Sequence, residues 1–134
     1  MEAAVRMVLQ PHIDGIRLAV RFSVPRLNLT DNTAHAILRI IRELAQNAIR
    51  HGKAHSLRIA GSVEDGELHF SVADDGIGFN PDLAPGVKDG HFGLTGIHER
   101  VRQLNGSLRI ESADGRGTKV TISVKLPRES QGNA

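Results

Sequence analysis

TDNTAHAILRIIRELAQNAIRHGKAHSLRIAGSVEDGELHFSV, residues 30–72, carries the reading of the fold, because its apolar period changes once along its length. Ile37, Ile40, Ile41, Leu44, Ala48 and Ile49 recur at three- and four-residue steps, the stripe of an amphipathic helix, with Thr30 or Asp31 as its cap and Gly52 as its end. Leu57, Ile59 and Val63, then Leu68, Phe70 and Val72, alternate on either side of Glu64-Asp65-Gly66, which reads as a strand pair joined by a Gly-containing turn. Upstream, Ile16, Leu18, Val20, Phe22 and Val24 alternate with polar or small residues and predict a strand closed by Pro25. Downstream, Leu94, Ile97, Val101 and Leu104 give a second helical stripe, stopped by Asn105-Gly106. Leu108 and Ile110 then pair with Val120, Ile122, Val124 and Leu126 across Ala113 to Gly117, a second hairpin. The order strand, helix, hairpin, long loop, helix, hairpin predicts an α/β sandwich with helices over a mixed, largely antiparallel sheet. A doubly wound parallel sheet would need a helix between most strands.

Composition narrows the function. The chain has 134 residues, 40% apolar and 24% charged, enough for one domain with a core of its own. Residues 1–12 read as a lead-in, 13–127 as the domain and 128–134 as a frayed tail. The 17 basic residues against 15 acidic ones are scattered, and only 3% of residues are aromatic, which argues against a nucleic-acid partner. Cysteine is absent, which excludes disulfides, thiolate catalysis and Cys-ligated zinc. No apolar run approaches the ~18 residues of a membrane helix, and MEAAVRMVLQ lacks the pattern of a signal peptide. A soluble, monomeric, cytoplasmic domain is the expectation.

Four segments can carry chemistry. Glu43, Asn47 and His51 are spaced by four along one edge of the first helix, with Arg50 beside them. An Asn oxygen and a carboxylate suit Mg²⁺ or its waters, and an arginine suits phosphate, although a solvated helix flank has the same pattern. Asp74-Asp75-Gly76-Ile77-Gly78-Phe79 follows a strand, where a carboxylate can accept from an exocyclic amino group and glycines allow close backbone approach; a turn has the same composition. Gly90-His91-Phe92-Gly93-Leu94-Thr95-Gly96 opens the second helix, where free N–H groups suit an anion. It fits neither the dinucleotide fingerprint nor a Walker loop. Gly115-Arg116-Gly117-Thr118 lies in the last hairpin, where glycines suit a tight turn and Thr118 offers a hydroxyl.

Taken together and in this order, these segments resemble the four boxes of the catalytic ATP-binding domain of sensor histidine kinases, in the superfamily of gyrase, Hsp90, histidine kinases and MutL. RELAQNAIRHGKA resembles the Asn box, DDGIGF, GHFGLTGIHERV and GRGT the three glycine boxes, and the run from Gly93 to Pro127 is most similar to the nitrate-sensor type. The resemblance covers roughly residues 13 to 127 and implies a Bergerat-type ATP-binding fold with ATP and Mg²⁺ as cofactors. It implies that Asp74 receives the adenine amino group, that Gly76 and Gly78 shape the adenine pocket and that Thr118 closes its polar side. Asn47 would hold Mg²⁺, Arg50 and His51 would flank the nucleotide, and the backbone of Gly93, Leu94 and Gly96 would surround the phosphates. Glu43 matches the general base of the hydrolysing members. The implied acceptor is a histidine on a separate dimerisation domain, with a response regulator downstream. Nothing before residue 13 is long enough for that two-helix hairpin, and of the seven histidines only His98 precedes an acid, so the chain reads as half of a kinase. The alternatives are a stand-alone serine kinase of an anti-sigma antagonist and a nucleotide-sensing pseudoenzyme. The loop from Asn80 to Phe92 reads as a lid.

Overall fold

Thr30 sets the start of the main helix: its extended backbone lets Oγ1 accept from the Thr33 N–H at 3.1 Å, satisfying one of the donors a helix leaves open. A computed structural model describes residues 1–24, 29–78, 94–113 and 115–126. In it the chain runs α1 (Glu2–Leu9), a 3₁₀ turn (Gln10–His12), β1 (Arg17–Ser23), α2 (Asp31–Arg50), β2 (Ser56–Glu64), β3 (Glu67–Asp74), α3 (Leu94–Gln103), β4 (Gly106–Ser112) and β5 (Thr118–Lys125). The segments 79–93 and 128–134, and with them the lid reading and the tail, lie outside the described residues.

The five strands form one sheet in the order β1-β2-β3-β5-β4. β1 and β2 are parallel, because α2 carries the chain back between them, and the other three pairings are antiparallel. The sheet is mixed and largely antiparallel, as the alternating stretches predict. The β2–β3 turn has two residues, Asp65 and Gly66, both at positive φ (52° and 77°), the combination whose twist matches a two-residue hairpin. Asn105 leaves α3 at φ 58°, so it is the asparagine that takes the left-handed exit.

The core lies between one sheet face and the helices. Ile37, Ile40, Ile41, Leu44, Ala45 and Ala48 of α2 pack there with Ile59, Leu68, Phe70, Val72, Val120, Ile122 and Val124 of the sheet and Ile97 and Val101 of α3. The opposite sheet face carries exposed residues such as Arg17, Arg21 and Arg58. Residues 1–12 differ from their reading as a lead-in: Val5 and Leu9 of α1 are fully buried in the same core. A two-turn helix with two buried positions leaves too short a periodicity to be read from sequence.

Candidate functional site

The end of α2, the loop after β3 and the β4–β5 turn meet at one end of the sheet and enclose a cleft. Its cavity volume is about 70 Å³ among the described residues. Leu44, Ala48, Val72, Ile77 and Val120 supply apolar walls, and Asn47, His51, Asp74 and Thr118 supply polar atoms.

Glycines bring these three segments together. A Cβ on Gly76 would strike the Gly52 carbonyl oxygen at the end of α2. One on Gly78 would strike the carbonyls of Ala113 and Gly117, and one on Gly117 the carbonyl of Asp74. Hydrogen bonds close the same seam: the Ile77 N–H donates to Gly52 O at 2.8 Å and the Gly115 N–H to Ile77 O at 2.5 Å. The glycines of these motifs therefore build the cleft wall by backbone-to-backbone packing. Ile77, 54% exposed at the mouth, is held there by both of its backbone groups.

The two adjacent aspartates have opposite environments. Burial pushes the Asp74 carboxyl above its ordinary value, opposed by backbone N–H groups of Gly76 and Thr118; the Gly76 bond measures 2.7 Å. Asp75 points to solvent, and its Oδ1 accepts from the Ser56 N–H at 2.9 Å and the His55 N–H at 2.8 Å, which lowers its carboxyl below the usual range. Asp75 is thus a clip on the α2–β2 connection, whereas Asp74 faces the cleft. A depressed carboxyl adds stability above its unfolded pKa and loses it as pH falls through the folded value. Asp75→Ala is therefore expected to lower the thermal midpoint at pH 7, with the difference from the parent shrinking in acid; scanning calorimetry across pH 2–7 checks it.

Asn47 is the other distinctive polar group. Its Nδ2 is buried and has no hydrogen-bond partner among the described residues, an unusual state for a buried donor. Thr118 lines the same cleft, with Oγ1 2.8 Å from Ser112 Oγ. His51 also lines it, whereas Arg50, exposed at the last residue of α2, does not. Glu43 is likewise absent from the lining: it pairs with Arg100 and Arg39. Gly96 is exposed in the first turn of α3, which Leu94 opens; Gly93 lies outside the described residues. Among the described residues no three His, Asp or Glu side chains gather as a metal site. A Mg²⁺ here would take the Asn47 oxygen and fill its remaining positions with phosphate oxygens and water, the usual manner of this ion.

Sequence reasoning missed Leu44, Ala48, Gly52, Val72, Ile77 and Val120 as cleft residues. Four of them share the period of the core stripes, so nothing in the sequence separates cleft wall from core. The described cleft combines apolar walls with a carboxylate and a buried amide.

A mixed sheet under one long helix, with a buried amide facing a strand-end aspartate, defines the class: an α/β sandwich with a small-ligand cleft. The chain belongs to the histidine kinase-, DNA gyrase B-, and HSP90-like ATPase family, which matches residues 32–128. It is 42% identical over 101 residues to the sensor histidine kinase YdfH of Bacillus subtilis, covering 74% of this chain and 24% of that protein. It is 33% identical over 130 residues to a NarQ homolog, a sensor protein of Haemophilus influenzae, covering 92% and 22%. The chain thus spans about a quarter of the length of these curated relatives. Among solved structures, the ATP binding domain of PrrB from Mycobacterium tuberculosis matches with a TM-score of 0.73 at 14% identity, covering 94% of this chain and 90% of that one. Full-length ShkA in complex with AMPPNP matches at 0.75 and 24%, covering 93% and 30%. At these identities the structural likeness speaks for the fold, and it agrees with the predicted architecture. Among the described residues no helix is long and apolar enough to cross a membrane.

Proposed function

We propose that this domain binds Mg·ATP in the cleft and donates the γ-phosphoryl group to a histidine on a separate dimerisation domain of a sensor histidine kinase, on the cytoplasmic side. The observation that carries the reading is the buried Nδ2 of Asn47, without a hydrogen-bond partner among the described residues, in the same cleft as Asp74. A donor left in that state among the described residues asks for a further acceptor, and a phosphate oxygen is one. The relatives named as sensor histidine kinases favour this reading over the anti-sigma serine kinase.

Asp74 accepts from the adenine 6-amino group, and the walls from Ile77 to Val120 hold the ring. Gly76, Gly78 and Thr118 set the shape of that pocket, and Arg50 and His51 flank the nucleotide. Bound Mg²⁺, held by the Asn47 oxygen, supplies neutralisation of phosphate charge. The N–H groups of Gly93, Leu94 and Gly96 at the start of α3 meet the phosphates. The acceptor imidazole nitrogen bonds to the γ-phosphorus as its bond to the bridging oxygen breaks and ADP leaves. The chain contributes position and charge compensation to that exchange. The isolated domain acts as a monomer, and a response regulator receives the phosphoryl group afterwards.

Asn47→Asp tests the assignment. It keeps the shape but replaces a donor by a carboxylate facing phosphate, so Mg²⁺-dependent ATP binding is expected to fall by about 10- to 100-fold. Transfer to an added dimerisation domain should be lost while the circular dichroism stays unchanged. A variant as active as its parent refutes the placement of the metal and phosphates.

A further inference from the structure

Among the described residues a charged contact joins α2, which lines the cleft, to α3. Glu43 sits one turn before Asn47 on α2, and Arg100 Nη1 on α3 donates to its Oε2 at 2.5 Å. These side chains are 24% and 27% exposed, and the pair links residues on different helices. The second partner, Arg39, lies 3.5 Å from Oε1 on the same helix and is 58% exposed, the kind of pair that contributes little. Arg100 reaches back along α3, its Nη1 3.7 Å from where a Cβ of Gly96 would stand. Ile97 and Val101 anchor the other side of α3 in the core. α3 is therefore set by apolar packing on one side and by the Glu43–Arg100 bond on the other. Glu43 has both oxygens turned to guanidinium groups and none to the cleft.

We propose that Glu43 and Arg100 are a pair of positioning residues that hold the first turn of α3 against the phosphate end of the cleft, and that Glu43 is not a general base. The proposal rests on the nucleotide reading above and assigns to Glu43 a role it shares with Arg100. Because the pair acts on α3 and not on the adenine pocket, its loss should separate phosphate affinity from nucleoside affinity.

The test is calorimetric titration of the 134-residue chain with adenosine, ADP and ATP. Glu43→Gln and Arg100→Gln are each expected to weaken ADP and ATP roughly ten-fold, as loss of one charge-assisted bond suggests, with adenosine affinity unchanged. The double variant should be no weaker than either single one, because both remove the same contact. Arg100→Lys, which keeps the charge without the planar fork, should fall between parent and Arg100→Gln, and provides the measurement should a larger change impair folding. Exchanging the charges as Glu43→Arg with Arg100→Glu, on an Arg39→Gln background that is itself silent, should recover most of the loss. Equal weakening of adenosine, additive losses in the double variant, or a Glu43→Gln protein that only stops hydrolysing ATP while Arg100→Gln is silent would each overturn the clamp. A parent that binds neither adenosine nor ADP overturns the nucleotide reading itself, and the clamp with it.

Discussion

Asp74→Asn is expected to abolish adenine-nucleotide binding while leaving the unliganded fold in place. The side-chain oxygen that serves Gly76 can be kept by the amide, so the turn after β3 survives. The second oxygen becomes an NH₂ group, which would meet either the Thr118 N–H or the adenine amino group donor to donor. A buried polar clash of this kind, next to a lost charge-assisted bond, is worth about 3 kcal/mol, or roughly 100-fold in affinity. The same geometry predicts strong preference for ATP over GTP, since guanine presents a carbonyl where adenine presents its amino group. Equal affinity for GTP would refute the adenine assignment.

The sign of the pH dependence follows from the burial of Asp74. Its folded carboxyl is raised, so its contribution to stability is full below the unfolded pKa and is lost as pH rises through the folded value. A ligand that donates to the carboxylate favours the ionised form and draws that value back down. Nucleotide affinity should therefore fall as pH drops through the raised folded pKa, and binding should release protons within that window. Titrations in two buffers of different ionisation heat measure the release. Asp75, whose carboxyl is shifted the other way by two backbone donors, should contribute nothing to it.

The architecture was legible because both apolar periods were long: seven buried positions on α2 and three on β3 repeat without interruption. The candidate site was legible in another way, through four short motifs in order, and the structure brings Asn47, His51, Asp74, Gly78 and Thr118 to one cleft. What could not be read was the reason for each residue. Gly76 and Gly78 suggested room for a ligand, yet the atoms nearest their missing Cβ atoms include carbonyls of Gly52 and Ala113, distant in sequence. The partner of Glu43 could not be read either, because Arg100 lies 57 positions away on another helix. Spacing along one helix places side chains on a face; it does not say which other element covers that face.

The second large effect concerns Gly117, and a matched glycine two residues earlier separates its causes. Gly115 and Gly117 have nearly the same backbone, φ 74° and 77°, so an alanine at either position meets the same left-handed strain, about 1 kcal/mol. Their surroundings differ. A Cβ at Gly115 has no atom of the described residues within 4 Å beyond its chain neighbours, whereas one at Gly117 would overlap the Asp74 carbonyl and sit 3.2 Å from Asp75 Cα. That carbonyl belongs to backbone fixed by the Gly52–Ile77 and Gly115–Ile77 bonds, so it cannot yield without opening the seam. Gly115→Ala is expected to lower unfolding free energy by about 1 kcal/mol and Gly117→Ala by about 3 kcal/mol in urea titrations. Only the second should also weaken nucleotide, because the strand end it displaces carries the Asp74 carboxylate. Equal costs at the two glycines, or a Gly117→Ala protein that binds ATP as its parent does, would mean that the seam is soft and that the cleft wall is not built by glycine packing.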